Sequence, residues 1–161
     1  MWTVMDSPVG ELRVIERAGA LSAIEFTPWR QPVDGRPLGE RGDDHPVLAA
    51  TVAQLTEYFA GERTTFDLPV APRGTDFQER VWAQLQKIAF GETASYGEVA
   101  ARLGLTAAAS RAVGTANGRN PIPIVIPCHR VIGADGSLTG YAGGMERKQV
   151  LLDLERQDAL F

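Results

Sequence analysis
The chain has 161 residues, 44% hydrophobic and 22% charged, with a net charge of −4 at pH 7, a length that supports a sizeable core in one domain or in two subdomains. No apolar run approaches the ~20 residues that span a bilayer and no basic-then-apolar leader opens the sequence, so a cytoplasmic protein without a membrane partner is expected. Cys128 is the only cysteine, which excludes an internal disulfide, and with His45 and His129 it falls short of four zinc ligands, so no metal site is expected.

In chain order the start reads as a β-meander. Trp2 to Asp6, the turn Ser7-Pro8-Val9-Gly10, Glu11 to Arg17 with Leu12 and Val14 on one face, a turn at Gly19 and Leu21 to Thr27 predict three antiparallel strands. Pro28 to Asp44, rich in Pro, Gly and charge, reads as a long loop. Pro46 then opens a helix whose Leu48, Val52, Leu55 and Phe59 share a face, ending at Gly61. Arg63 to Gly74, with Pro69 and Pro72, reads as an extended connection, so the chain divides at residue 73 into an N-terminal part, 1–73, and a C-terminal part, 74–161.

The second part reads as all helical. Thr75 or Asp76 caps a helix carrying Phe77, Val81, Leu85 and Ile88 on one face and stopped by Gly91. Ser95-Tyr96-Gly97-Glu98 is a capping box for a short helix with Val99 and Leu103, stopped at Gly104. A small, Ala-rich helix over about Ala107 to Ala116 ends at Asn117-Gly118, so the pair makes a helix, tight turn, helix unit, either a helix-turn-helix or an ordinary αα-hairpin. A last helix over about Gly144 to Gln157 points Val150, Leu151 and Leu154 inward.

Charge is unevenly spread. Residues 1–73 hold seven Lys and Arg against eleven Asp and Glu, whereas residues 74–161 hold nine of each. No carboxylate falls between Glu98 and Asp135, while Arg102, Arg111, Arg119 and Arg130 do, which predicts a local positive face on an acidic protein. Within that stretch lies Ile124-Val125-Ile126-Pro127-Cys128-His129-Arg130-Val131-Ile132-Gly133. A lone cysteine is by default a small buried hydrophobe, but one in a Pro-bounded loop between apolar runs, followed by His129 and Arg130, fits a nucleophile. A thiol attacks as its thiolate, and adjacent cationic or proton-accepting groups lower its pKa from ~8.5.

Arg111-Ala112-Val113-Gly114, Asn120-Pro121, Ile126-Pro127-Cys128-His129-Arg130-Val131-Ile132-Gly133 and Tyr141-Ala142-Gly143-Gly144, in that order, resemble the O6-alkylguanine-DNA alkyltransferases, also called methylated-DNA–protein-cysteine methyltransferases. The resemblance spans about Thr75 to Glu155. It implies an α/β (α+β) protein, with a ribonuclease H-like three-stranded antiparallel sheet and a helix in residues 1–73 and a helix-turn-helix active-site domain, winged in type, in residues 74–161. It implies that Cys128 takes the alkyl group from guanine O6 and keeps it, once per molecule. His129 takes the thiol proton through a water, and Glu155 orients the imidazole. The same resemblance makes Arg111 the side chain that fills the gap left by an extruded base, with Tyr96, Asn120, Ala112, Gly114 and Arg130 at the DNA. Tyr96, the Val131 carbonyl, Tyr141, Ala142 and Gly143 line the base pocket, with the Gly144 backbone beside them. The implied partner is double-stranded DNA carrying O6-alkylguanine, met through its minor groove by a monomer, with no cofactor.

Two rivals are weighed against this reading. A binding module that recognises the lesion without repair would lack the cysteine, which Cys128 opposes. A Cys-His hydrolase or thiol redox enzyme would need an oxyanion hole or a second cysteine.

Overall fold
A computed structural model describes residues 1–30, 35–138, 140–141 and 143–159, and the backbone falls into two units, Met1–Arg73 and Gly74–Phe161. In the first, β1 (Trp2–Met5), β2 (Leu12–Arg17) and β3 (Ala20–Phe26) form an antiparallel sheet in that order. Register runs from Trp2 opposite Ile15 and from Leu12 opposite Phe26. The β2–β3 turn places Ala18 at φ 52° and Gly19 at φ 81° between paired Arg17 and Ala20, the left-handed pair that matches strand twist in a two-residue hairpin.

The meander has the expected direction, and Leu12 and Val14 are buried on one face as expected, but Arg13, Ile15 and Glu16 on the other face are buried as well. β2 is the central strand, and its polar members are engaged: Arg13 Nε donates to Glu25 at 2.7 Å and its guanidinium lies 5.5 Å from the Trp29 ring, while Glu16 accepts from the Gly19 amide. The described part of the loop is stitched to the sheet, since Arg17 donates to the Pro37 carbonyl and the Trp2 indole to that of Gly39.

Helix α1 (Pro46–Phe59) packs on the sheet. Its buried stripe is Leu48, Thr51, Leu55 and Tyr58, so Val52 and Phe59, expected inward, flank it instead. The two stripes differ by a rotation of one residue, and Thr51 fits inside because its hydroxyl donates to the Val47 carbonyl at 2.7 Å. Beyond the helix, Leu21 exchanges backbone hydrogen bonds with Pro69 and Ala71, so the Pro-rich connection extends the β3 edge.

In the second unit α2 (Asp76–Leu85) starts at a Thr75–Gln78 capping box and buries Val81, Trp82 and Leu85; Phe77 is only half-buried, and Ile88 is buried past the helix end. Helix α3 (Tyr96–Arg102) starts at the Ser95–Glu98 box, and after a 3-10 turn at Ala107–Ala109 comes α4 (Ser110–Gly118). The expected all-helical composition needs one correction. Strand β4 (Ala94–Ser95) pairs in parallel with β5 (Val131–Ile132). Helix α5 (Met145–Ala159) buries Lys148, Leu151, Leu152 and Glu155, whereas Val150, expected inward, is 39% exposed and Leu154 half-buried. Among the described residues no helix is long and apolar enough to cross a membrane.

Candidate active site
Cys128 opens a 3-10 turn, Cys128–Arg130, at the end of a loop that leaves α4. Asn120 closes this loop from within: its Nδ2 donates to the Ile126 carbonyl at 2.7 Å and its Oδ1 accepts from the Ile122 amide at 3.0 Å. The loop is tight enough to hold Ile124 at φ 74°, left-handed backbone that a β-branched residue adopts only under strain of order 1–3 kcal/mol. Asn117, at the inner face of α4, donates from Nδ2 to the Cys128 carbonyl at 3.3 Å. Two buried asparagines thus hold the backbone that presents the thiol.

His129 is fully buried, and its Nε2 meets Glu155 Oε2 at 2.7 Å. Arg130 is buried too: Nε and NH2 donate to Glu155 at 2.8 and 2.9 Å, NH1 donates to the Ile88 carbonyl at 2.7 Å, and the guanidinium lies 5.8 Å from the Phe90 ring. Burial alone would raise the Glu155 carboxyl, but the hydrogen bonds from His129 and Arg130 outweigh it and hold the group at about 2. An ionised carboxylate only accepts, so the proton between the two side chains belongs to His129 Nε2. Burial lowers the pKa of His129, opposed by Glu155. The imidazole is therefore neutral with Nδ1 bare, the tautomer a general base needs.

Two expectations change here. Arg130 was expected at the DNA and is instead 6% exposed and spent on Glu155, Ile88 and Phe90. Nor do the His129 and Arg130 side chains lower the thiol pKa as their adjacency suggested, since both are turned to Glu155; His129 contributes only its backbone amide. Burial pushes Cys128 up to about 11, against smaller opposing effects of the Asn120 side chain and the Lys148 charge. The cation that favours the thiolate is Lys148, remote in sequence and 0% exposed, whose Nζ donates to the Val131 carbonyl at 2.6 Å. Burial lowers the Lys148 pKa and the Cys128 charge opposes that. At pH 7 only ~1 in 10,000 such thiols is ionised, so deprotonation has to accompany reaction.

The remaining expected residues gather near this centre or on α4. Arg111, Ala112, Thr115, Gly118 and Arg119 make an exposed stripe along α4, with Val113, Ala116 and Asn117 turned inward. A methyl group built on Gly114 would lie 3.5 Å from the Tyr96 ring, and one on Gly140 would lie 4.0 Å from the Tyr96 hydroxyl oxygen. Tyr96 therefore stands between α4 and the approach to Tyr141. The β4–β5 ladder puts Ser95 opposite Ile132, which carries Tyr96 to the end of the Cys128 turn. The Val131 carbonyl, expected to meet a guanine amine, accepts from Lys148 and keeps a second lone pair. Tyr141 is buried and Gly143 half-buried, its carbonyl accepting from Arg147. Ala142 lies outside the described residues.

Sequence reasoning missed Lys148 and Asn117. The signal for Lys148 was present: with Leu151, Leu152 and Glu155 it falls at spacings of three, four and seven on one α5 face, so a lysine shared the apolar stripe. Asn117 was read only as a helix-end residue.

Comparison with known proteins bears on this constellation. The family model described as 6-O-methylguanine DNA methyltransferase, DNA binding domain, matches residues 76–157, and that described as 6-O-methylguanine DNA methyltransferase, ribonuclease-like domain, matches residues 1–72. The chain belongs to the 6-O-methylguanine DNA methyltransferase family. A methylated-DNA–protein-cysteine methyltransferase of Mycolicibacterium paratuberculosis is 49% identical over 97% of this chain and 92% of its own length. The constitutive methylated-DNA–protein-cysteine methyltransferase of Bacillus subtilis is 44% identical, over 96% of this chain and 94% of its own. Among solved structures, the Mycobacterium tuberculosis O6-methylguanine methyltransferase is similar with a TM-score of 0.87 and 46% identity, covering 98% of this chain and 93% of that one. The Mycobacterium tuberculosis OGT in complex with DNA is similar with a TM-score of 0.86, 46% identity and the same coverage. The expected family and fold class, mixed α/β with an N-terminal three-stranded antiparallel sheet, thus hold.

Proposed function
We propose that this protein repairs DNA by direct reversal, moving the alkyl group from O6 of an alkylated guanine in duplex DNA onto Cys128. The observation that carries the reading is the buried Cys128 turn with the His129–Glu155 pair at 2.7 Å, in a chain that matches both domains of the family. DNA as partner is supported by the match to a DNA binding domain and by the DNA complex of a 46% identical structure.

His129 Nδ1 takes the Cys128 S–H proton through a water, and the thiolate attacks the alkyl carbon in line. The S–C bond forms as the C–O6 bond breaks, the bonding pair stays on guanine, and the purine takes up a proton. Displacement at carbon needs only this nucleophile and base, so no cofactor enters. Water cannot cleave the thioether product under these conditions, so each molecule acts once.

A base inside a duplex must be extruded first, at a cost of a few kcal/mol. The long cation of the α4 stripe, Arg111, fills the gap, while Ala112 and Gly114 let the helix approach the minor groove closely. Tyr96 crowds the backbone and caps the extruded guanine, and Tyr141, Gly143 and the free lone pair of the Val131 carbonyl line its pocket. Asn120 acts indirectly, by holding the loop. The protein works as a monomer in the cytoplasm.

The test is intact-protein mass spectrometry after incubation with a duplex holding one O6-methylguanine. One methyl per protein on Cys128, saturating, is the expected result, and Cys128→Ser takes up none. Retention of the duplex without any mass gain would favour the lesion-binding rival.

A further inference from the structure
Two buried polar atoms beside Cys128 have no hydrogen-bond partner among the described residues: Asn117 Oδ1 and His129 Nδ1. Both are acceptors. The Asn117 amide is oriented by its Nδ2, which donates to the Cys128 carbonyl, a group that only accepts. The imidazole is oriented by the ionised Glu155 at Nε2. The carbonyl that Asn117 grips belongs to the peptide joining Cys128 to His129, so the two bare acceptors flank the same peptide unit. Two acceptors cannot satisfy each other, and each buried unmatched group costs about 1–3 kcal/mol. The group that answers both is a small double donor, and buried water makes about three hydrogen bonds in such places.

We propose that Asn117 is a positioning residue for proton transfer, its Oδ1 holding the water that carries the Cys128 proton to His129. This rests on the function proposed above and extends it to a residue on α4. The water gives one hydrogen to His129 Nδ1 and one to Asn117 Oδ1, and accepts from the Cys128 S–H on its oxygen. When the thiol ionises, its proton joins the water as the water's own proton passes to Nδ1. One proton leaves sulfur, one arrives on nitrogen, and the water is restored. The bond to Oδ1 turns the water's lone pair toward sulfur. The same helix that carries Arg111 on its outer face thus carries the aligning group on its inner face.

The groups around Cys128 that could alter its ionisation are His129 with Glu155 and Arg130, Lys148 on α5, and Asn120. Replacing Asn117 removes none of these groups, and the unfolding midpoint reports any loosening of the Cys128 backbone. The experiment measures the pH dependence of Cys128 carbamidomethylation by iodoacetamide without DNA, alongside single-turnover methyl transfer from an O6-methylguanine duplex and urea unfolding. For Asn117→Leu the expected result is a roughly tenfold slower thiol reaction between pH 7 and 8, with the apparent thiol pKa about one unit higher, a parallel loss in methyl transfer and unchanged duplex affinity. Asn117→Ser, whose hydroxyl still donates and accepts without the bulk of leucine, recovers most of the loss.

The proposal is overturned if folded Asn117→Leu keeps the parental pH profile and rate while its unfolding midpoint drops, which would make Asn117 only a clamp on the Cys128 carbonyl, or if Asn117→Ser is as slow as Asn117→Leu. Failure of the parent protein to transfer methyl at all would instead overturn the proposed function, and the iodoacetamide profile would still judge Asn117.

Discussion
Replacing Arg130 separates a buried structural cation from a DNA contact. Arg130→Ala removes two hydrogen bonds to Glu155 and one to the Ile88 carbonyl. The carboxyl is held at about 2 against an ordinary 4.5, and at about 1.4 kcal/mol per unit the His129 and Arg130 contacts favour its charged form by about 3 kcal/mol net of the opposing burial. Arg130 supplies part of that, and the orphaned Ile88 carbonyl adds about 1–3 kcal/mol. The expected destabilisation is about 3–5 kcal/mol, the range for breaking one side of a buried ion pair. In urea, with a slope of about 1–3 kcal/mol/M, the midpoint falls by at least about 1 M. Arg130→Lys keeps the charge but loses the two-pronged grip, and is expected to fall between. Affinity for an unmodified duplex, measured against salt on the folded protein, should keep its slope, because a buried guanidinium neutralises no phosphate. The reasoning is refuted if Arg130→Ala unfolds within about 1 kcal/mol of the parent while the salt slope drops by about one.

Other outcomes follow from the same geometry. Gly114→Ala should stabilise the protein by about 0.5–1 kcal/mol, since it adds a helix-favouring methyl at ordinary contact distance from Tyr96, yet slow methyl transfer by narrowing the approach of α4 to DNA; melting temperature and single-turnover rate should move in opposite senses. Lys148→Met removes the cation that favours the Cys128 thiolate, so iodoacetamide labelling at pH 8 should slow about tenfold and its pH profile shift upward; an unshifted profile contradicts that role for Lys148. Acid should weaken the fold in two steps. Below about pH 6.5 the unfolded chain protonates His129 while the folded one resists, because burial depresses its pKa. Between about pH 4.5 and 2 the unfolded chain protonates Glu155 first. Both groups therefore contribute stability that is full above the unfolded pKa and lost as pH falls. Urea midpoints should decline from pH 7 to 3, and Glu155→Gln should flatten the lower part of that decline.

Local chemistry was legible in the linear chain. The Ser95 capping box, and the choice of Thr75 or Asp76 that the structure resolves to a Thr75–Gln78 box, lie within four residues of the bonds they form, so reading them requires no fold. Strand order in the meander was equally local, because short turns allow only antiparallel neighbours. Cys128 and His129 announced a thiol and a base through adjacency, and the ordered motifs from Arg111 to Tyr141 pointed to one family. What each charged group does was decided in three dimensions. Arg130 was expected to assist the thiol and meet DNA and Lys148 was not singled out, yet Arg130 is consumed by a carboxylate from α5 and Lys148 turns in toward the thiol from the same helix. A lysine and a glutamate two helical turns apart share a face whatever the fold, but only packing puts that face against the Cys128 turn. The sign of the cysteine shift depended on the same fact: charge carried by sequence neighbours could not lower a pKa once Glu155 had claimed them, and burial, which no spacing records, became the larger effect. The β4–β5 pair escaped detection because two-residue strands carry no periodicity and gain their partners only when residues 94–95 and 131–132 meet.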